Sequence, residues 1–254
     1  MDREQLIKIV YETDSIFFNS AYRADVKEKG KADYVTRADI EISEFLHRRL
    51  REEFPKISFM SEEGDTTIDD KGDFFVLDPI DGTTNFMHGL PMCGVSLAYW
   101  SCGEPKIGVI YIPYTKEMFS AESGKGAYLN GERIFCSENA KLSDCVGMFE
   151  YNAYFKDKLE EAKTLAAKIY THCQDIRCLG SAAFEMAYVA CGRADVCFGR
   201  YLKPWDFAAG AVIIKEAGGI VSGLDGKLTL SKPSQHIVAA NGAVYREFLE
   251  LMNK

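Results

Sequence analysis

The sequence predicts a mixed α/β fold in which two lobes, residues 1–140 and 141–254, meet as one compact unit. Three observations predict it. Apolar residues recur at helical spacing near both ends, in DREQLIKIVYETDSIFFNSA and AVYREFLELM. Short apolar runs separated by glycine-rich turns fill the middle of the first lobe, as antiparallel strands would. Past SENAKLSD, helical stretches alternate with short β-rich pieces, and neither a low-complexity linker nor an internal repeat divides the chain.

The elements follow in order. Leu6, Ile9, Val10 and Phe17 place one amphipathic helix over the first twenty residues. A second starts after Thr36, a good N-cap with Asp39 three residues on, and its stripe of Ile42, Phe45, Leu46 and Leu50 stops at Phe54-Pro55. ISFM and FFVL read as short buried strands. CGVSLAYW, KIGVIYIP, EMFSAES and GAYLNGERI read as antiparallel strands, with Asn130-Gly131 the strongest hairpin signal. In the second lobe DKLEEAKTLAAKIY, SAAFEMAYVACG and WDFAAGAVIIKEAGG are helical, ADVCF and HIVAA are strands, and AVYREFLELM closes the chain as a helix.

Composition excludes several classes of function. A formal charge of −8 argues against a hold on nucleic acid or on an anionic membrane, since both need clustered Lys and Arg. The basic stretches KEKGK and HRRLR are short and flanked by acids, as solvated surface would be. No run approaches the roughly 20 apolar residues of a spanning helix. Eight cysteines include no C-x-x-C pair and keep no close company with the four histidines, so neither zinc nor a redox motif is indicated. With no signal peptide in view, a cytoplasmic location is the expectation.

The segment FFVLDPIDGTTNF concentrates the chemistry. If FFVL is a buried strand, Asp78 sits at its C-terminal end, where open α/β sheets place ligands. Pro79 bends the chain, Ile80 anchors the bend while leaving its carbonyl free, and Asp81 re-emerges before GTTN. Two carboxylates facing one point repel unless one is protonated or a cation lies between them, so the arrangement favours a metal. Oxygen donors without His or Cys suit a hard ion, and Mg²⁺ fits a site that leaves positions to water and substrate phosphate. Gly82 permits close backbone approach, and the N–H groups of Gly82, Thr83 and Thr84 would bind an anion. D-P-x-D-G is also an ordinary surface turn. Glu62, in SEEG after ISFM, is by itself a loop acid, and Asp206, in PWDFAAG, a helix-start acid; only their convergence on the aspartates would make them ligands.

SEEG, LDPIDGTTNFMHGLP, GRADVCFGRYLKPWDFAAG and KEAGG, in this order over nearly the whole chain, resemble the inositol monophosphatase family of Mg²⁺-dependent, lithium-sensitive phosphomonoesterases. That superfamily also includes fructose-1,6-bisphosphatases. The resemblance implies a layered α-β-α-β-α sandwich with the site between lobes, and a homodimer. It assigns two or three Mg²⁺ ions to Glu62, Asp78, the Ile80 carbonyl, Asp81 and Asp206, with Glu63 behind them as an acid that holds water. Asp39 in DYVTRAD would pair with Thr83 to orient an attacking water, a role compatible with its place in a capping box. The implied reaction is hydrolysis of a small phosphorylated metabolite by metal-activated water, with the N–H groups of Gly82 and Thr83 on the non-bridging oxygens.

Substrate choice is where the likeness thins. Animal inositol monophosphatases carry an acid seven residues before the W-D-x-A-A-G aspartate, and here that position is Gly199. Arg200 and Lys203 stand nearby; as cations they suit an extra anionic group, and as surface residues they face solvent. Arg177, before GSAA, either contacts substrate or bridges subunits, with a structural role as the expectation. Inositol 1-phosphate is the family default, with fructose 1,6-bisphosphate, a 3′-phosphoadenosine nucleotide and NADP as competitors. Glu150 and Tyr151 belong near the same cleft without an assigned role. The reading from another class is a non-catalytic regulatory relative, which would show broken metal ligands. No G-x-x-x-x-G-K-[ST] loop supports a phosphotransferase.

Overall fold

The computed structural model describes residues 1–30, 32–64 and 72–254. Helix α1 (Arg3–Tyr11) starts from a reciprocal cap between Asp2 and Gln5. It does not run on through residue 20 as its apolar spacing predicts. The buried Thr13 hydroxyl donates to the Val10 carbonyl at 2.7 Å, competing with the bond that helix continuation needs, and two short helices follow, α2 (Asp14–Phe17) and α3 (Ser20–Ala24). A hairpin of β1 (Val26–Gly30) and β2 (Asp33–Thr36) then leads into α4 (Arg37–Glu53). The expected capping box is present there: Asp39 N–H donates to Thr36 Oγ1, and Thr36 N–H donates to Asp39 Oδ2 at 2.8 Å.

The first lobe contributes a seven-stranded sheet of β3 (Ser58–Ser61), β4 (Asp73–Asp81), β5 (Gly94–Ser101), β6 (Glu104–Ile112), β7 (Glu117–Glu122), β8 (Gly126–Leu129) and β9 (Glu132–Ile134) in that spatial order. Only β3 and β4 run parallel. Asn130 and Gly131, at φ 51° and 87°, form the two-residue turn between β8 and β9. The short helix α5 (Thr83–His88) follows β4. The second lobe adds α6 (Leu159–His172), α7 (Ala182–Ala190), α8 (Pro204–Glu216) and α9 (Tyr245–Asn253) around strands β10 (Val146–Glu150), β11 (Asp175–Arg177), β12 (Val196–Leu202), β13 (Gly219–Gly223) and β14 (Gln235–Asn241). These five strands pair in the order β11-β10-β12-β14-β13.

Strand alternation stacks these elements into layers. Along β4, Phe75 and Leu77 face α1 and α4, packing with Leu6, Ile9, Ile42, Leu46 and Leu50. Phe74 and Val76 face the other way, onto Ala183 and Met186 of α7 and Ala209 and Ile213 of α8. The second sheet repeats the pattern: Met148, Cys197 and Ala239 point to that same inner core, while Phe149, Phe198 and Val238 meet Ile169 of α6 and Phe248 of α9. Three apolar cores therefore separate five layers in the sequence α-β-α-β-α. Because α7 and α8 are covered on both sides, nearly every residue from Pro204 to Ile214 is buried. The central strands likewise read as unbroken apolar runs.

Candidate active site

Both faces of β4 are covered, so its C-terminal end is where the chain can turn a polar group toward a cleft. Asp78 pairs with Ser96 of β5, but the register slips before Asp81 reaches Gly94. Pro79 lies inside the slip; lacking an N–H, it cannot continue the ladder. The next turn requires Gly82. Its φ is +87°, and a Cβ there would lie 3.0 Å from the Met92 carbonyl oxygen and 3.1 Å from Ser181 Cβ. Glu62 arrives from the end of β3, its N–H bonded to the Leu77 carbonyl at 3.2 Å. Asp206 stands in the first turn of α8 and Asp39 in the first turn of α4. Glu62, Asp78, Ile80, Asp81, Gly82, Thr83, Thr84, Lys203 and Asp206 line one cleft.

The acids share a cup rather than a point. Among the described residues no three His, Cys, Asp or Glu side chains close on a metal unaided. Asp81 gives one oxygen to the Ser181 hydroxyl and the Ala183 N–H, both at 2.6 Å, so it also caps α7. Asp206 accepts from the Lys203 N–H at 2.8 Å, and Glu62 leans toward Lys29 Nζ at 3.6 Å. The predicted convergence of Asp78 and Asp81 on one spot is thus modified by helix caps, because a buried carboxylate takes any N–H within reach.

Electrostatics tests whether these residues suit a cation. Burial pushes Asp78 well above the usual carboxylate range, and Glu62, Asp81 and Asp206 push it further. Asp206 is raised by burial, then by Asp81 and Glu62. Burial lifts Glu62 to about 7 against the pull of Lys29, and lifts Asp81 to about 6 against its bonds to Ser181 and Ala183. Buried anions that raise one another's pKa are relieved by a hard divalent ion, and every donor present is an oxygen. The residues fit Mg²⁺.

The remaining predicted site residues divide between cleft and framework. Burial raises Asp39 to about 6; its Oδ2 is occupied by Thr36, while its Oδ1 accepts from Thr83 Oγ1 at 3.4 Å. The same Thr83 hydroxyl lies 3.2 Å from the Ile80 carbonyl. Glu63 pairs with Lys29 at 2.6 Å. Burial works against the Lys29 charge, yet Glu62 and Glu63 more than offset it and hold its pKa above the ordinary value. Lys203 lines the cleft, its ammonium over the rings of Tyr154 and Trp205 at 5.1 and 5.2 Å. Arg177 is exposed, paired with Asp175 at 2.6 Å, and is not part of the lining.

Arg200 corrects the sequence reading most plainly. It is 1% exposed and faces neither solvent nor the cleft. Gly199 pairs with Glu150 across β12 and β10, and strand alternation sends the next side chain to the opposite face. There Arg200 donates to the Tyr151 carbonyl at 2.7 Å and to the Lys158 carbonyl at 3.3 Å, with Glu161 3.6 Å away. Arg200→Ala is therefore expected to cost about 3 kcal/mol of stability in urea unfolding. It should not weaken a bisphosphate more than a monophosphate; a bisphosphate-selective rise in KM would return the side chain to the substrate.

Sequence reasoning missed Lys29, Ser181, Asn152 and Tyr154. Ser181 alone left a local signal, as an N-cap before the helical run AAFEMAYVA. Asn152 and Tyr154 line the cleft, and Lys29 pairs with Glu62 and Glu63 at its edge, by tertiary contact only.

Residues 4–254 match the Inositol monophosphatase family. The chain belongs to this family. It is 40% identical to the fructose-1,6-bisphosphatase/inositol-1-monophosphatase of Thermotoga maritima, across 100% of this chain and 97% of that protein. It is 36% identical to the Nus factor SuhB of Escherichia coli K12, over 90% of this chain and 85% of the relative. Among solved structures, the extragenic suppressor protein suhB of Bartonella henselae superposes with a TM-score of 0.91 at 31% identity, covering 99% of this chain and 98% of the other. Membership in the inositol monophosphatase family makes the protein a phosphatase of the layered α/β type. Among the described residues no helix is long and apolar enough to cross a membrane.

Proposed function

We propose that this protein is a Mg²⁺-dependent phosphomonoesterase acting on a small phosphorylated metabolite, with inositol 1-phosphate as the default substrate. One observation carries the reading: Glu62, Asp78, Asp81 and Asp206 line the same cleft as the turn at Gly82, Thr83 and Thr84. Mg²⁺ is the family's ion, and when bound it supplies Lewis-acid polarisation of the phosphoryl group and neutralises developing negative charge. Glu62, Asp78, Asp81, Asp206 and the Ile80 carbonyl are the groups that would hold it.

The chain's own residues do the rest. Asp39 Oδ1 accepts the Thr83 hydroxyl proton, which leaves the Thr83 oxygen as an acceptor able to orient a water at the phosphorus. The N–H groups at the start of α5 have no partners within their own helix, and they stabilise the non-bridging oxygens as charge spreads over them. Enclosure of the cleft between the lobes strengthens each of these interactions. No protein nucleophile is required. A non-catalytic role is disfavoured, because every ligand position matched in the family motifs retains its acid or carbonyl.

Phosphate release from a panel of phosphomonoesters tests the reading directly. Activity is expected with Mg²⁺ and is expected to vanish with chelator, with lithium as inhibitor. A purified, folded protein that releases no phosphate from any of them would overturn it.

A further inference from the structure

Two buried polar side chains have no part in the mechanism above, Asn85 and Glu185, and both close on the turn that carries Ser181. Asn85 follows Asp81 in the DGTTN segment, lies on α5 and is 8% exposed. Its Nδ2 donates to the Met92 carbonyl at 2.7 Å and to the Leu179 carbonyl at 2.6 Å. Glu185, on α7, is fully buried, and its Oε1 accepts the Leu179 N–H at 2.7 Å. Leu179 is therefore held by both of its backbone polar groups, each by a side chain from a different helix. One residue on, Gly180 turns the chain at φ +77°, and a Cβ there would lie 3.2 Å from Asn85 Nδ2, so the asparagine sits directly against the turn.

What this turn delivers is a grip on Asp81. Ser181 donates its hydroxyl to Asp81 Oδ2 at 2.6 Å, while its Oγ accepts the Phe184 N–H at 3.3 Å as the N-cap of α7. The Ala183 N–H reaches the same Asp81 oxygen at 2.6 Å. Two donors at a helix start that converge on one carboxylate oxygen fix the rotation of that carboxylate, and Asp81 Oδ1 is left for an ion. Only Gly180 separates Leu179 from Ser181, so a shift of Leu179 is passed to the donors that hold Asp81.

Glu185 suits this task as a neutral acid. Burial, and then Glu150, raise it well above the usual carboxylate range. A protonated carboxyl accepts the Leu179 N–H through one oxygen and has an O–H to give through the other. That other oxygen lies 3.8 Å from Cys197 Sγ. Cys197 pairs with Met148 and Gly199 with Glu150, so Glu150 projects from the same face of the second sheet one pleat along, and its Oε2 is buried with no hydrogen-bond partner among the described residues. An ionised Glu185 would repel Glu150, whereas glutamine, which has the same shape, keeps both an acceptor and a donor.

Resting on the phosphomonoesterase reading above, we propose that Asn85 and Glu185 are positioning residues for the Mg²⁺ ligand Asp81: they clamp Leu179 by its carbonyl and its N–H, and so hold Ser181 and the start of α7 against the Asp81 carboxylate. The test titrates Mg²⁺ into chelator-treated, desalted protein by calorimetry, with Tm in chelator as the control for a merely structural role. Asn85→Ala and Ser181→Ala are each expected to raise the Kd for Mg²⁺ about tenfold, and to raise by a similar factor the Mg²⁺ concentration that gives half-maximal turnover. Glu185→Ala should do the same, and Glu185→Gln should stay within about threefold of the wild type. If Glu185→Ala does not fold, Asn85→Ala and Ser181→Ala, whose side chains lie at the cleft rather than in the core, carry the test. A folded Asn85→Ala with lowered Tm but unchanged Kd would overturn the proposal, because the clamp would then serve stability alone. A tighter Kd in Ser181→Ala would also overturn it, because the donors on Asp81 would then compete with the ion. Equal losses in Glu185→Gln and Glu185→Ala would remove Glu185 as a neutral clamp. Wild-type protein that neither binds Mg²⁺ nor releases phosphate would instead sink the phosphomonoesterase reading, and a difference between variants cannot be confused with that result.

Discussion

Asp78→Asn is expected to reduce turnover at least about 100-fold, the scale of losing one preorganised electrostatic stabiliser, and yet to leave the chelator-treated protein more stable at pH 8 than the wild type. The two effects share one origin. Asp78 is 2% exposed, its Oδ1 accepts only the Ile80 N–H, at 3.1 Å, among the described residues, and Glu62, Asp81 and Asp206 all disfavour its charge. Asparagine keeps the shape and the acceptor but removes the charge, so the folded state loses a repulsion while the cation loses a ligand. Three measurements separate these effects: turnover at limiting Mg²⁺, Tm in chelator, and the gain in Tm on adding Mg²⁺, which should shrink. Wild-type turnover in the variant at limiting Mg²⁺ would remove Asp78 from the site.

Chelator-treated wild-type protein is expected to lose stability as pH rises from about 4 through about 7. The sign follows from proton counting. Glu62 is raised to about 7 and Asp39 and Asp81 to about 6, with Asp78 and Asp206 also raised, chiefly by burial. In this window the folded chain holds protons that the unfolded chain, with carboxyl values near 4, has already released. Stability therefore falls with pH, by an amount of order 3 kcal/mol for a shift of about two units. Mg²⁺ at 100 times its Kd should restore about 2.7 kcal/mol at pH 8. Urea midpoints in chelator that stay level or climb between pH 5 and 7 would contradict the burial of uncompensated acids in this cleft.

Legibility in the sequence tracked how local each cause was. The cap at Thr36 and Asp39 and the turn at Asn130-Gly131 depend on residues within four positions of one another, and each lies where its motif places it, whereas β4 runs past the end expected at Asp78 to Asp81. The first helix ends sooner than its spacing predicts because the apolar pattern continues past Tyr11 while one buried hydroxyl, Thr13, competes for the backbone. Arg200 departs from its expected place for a different reason. From sequence a lone arginine near a motif looks exposed, but its direction depends on strand parity and on which carbonyls the facing segment leaves open.

By itself the sequence carried the family motifs, which are written in residue type and short spacing, and through that resemblance the expectation of five layers and of an oxygen-only donor set at Glu62, Asp78, Ile80, Asp81 and Asp206. Only the tertiary structure decided that Asp81 caps α7, that Lys29 pairs with Glu63, that Arg200 turns into the second lobe, and that Glu150 Oε2 is buried with no hydrogen-bond partner among the described residues. Each of those joins residues 34 to 102 positions apart, or concerns which atoms remain unpaired once such joins are made. Hydrogen bonding reaches only about 3 Å, so which partners meet is set by how the layers stack.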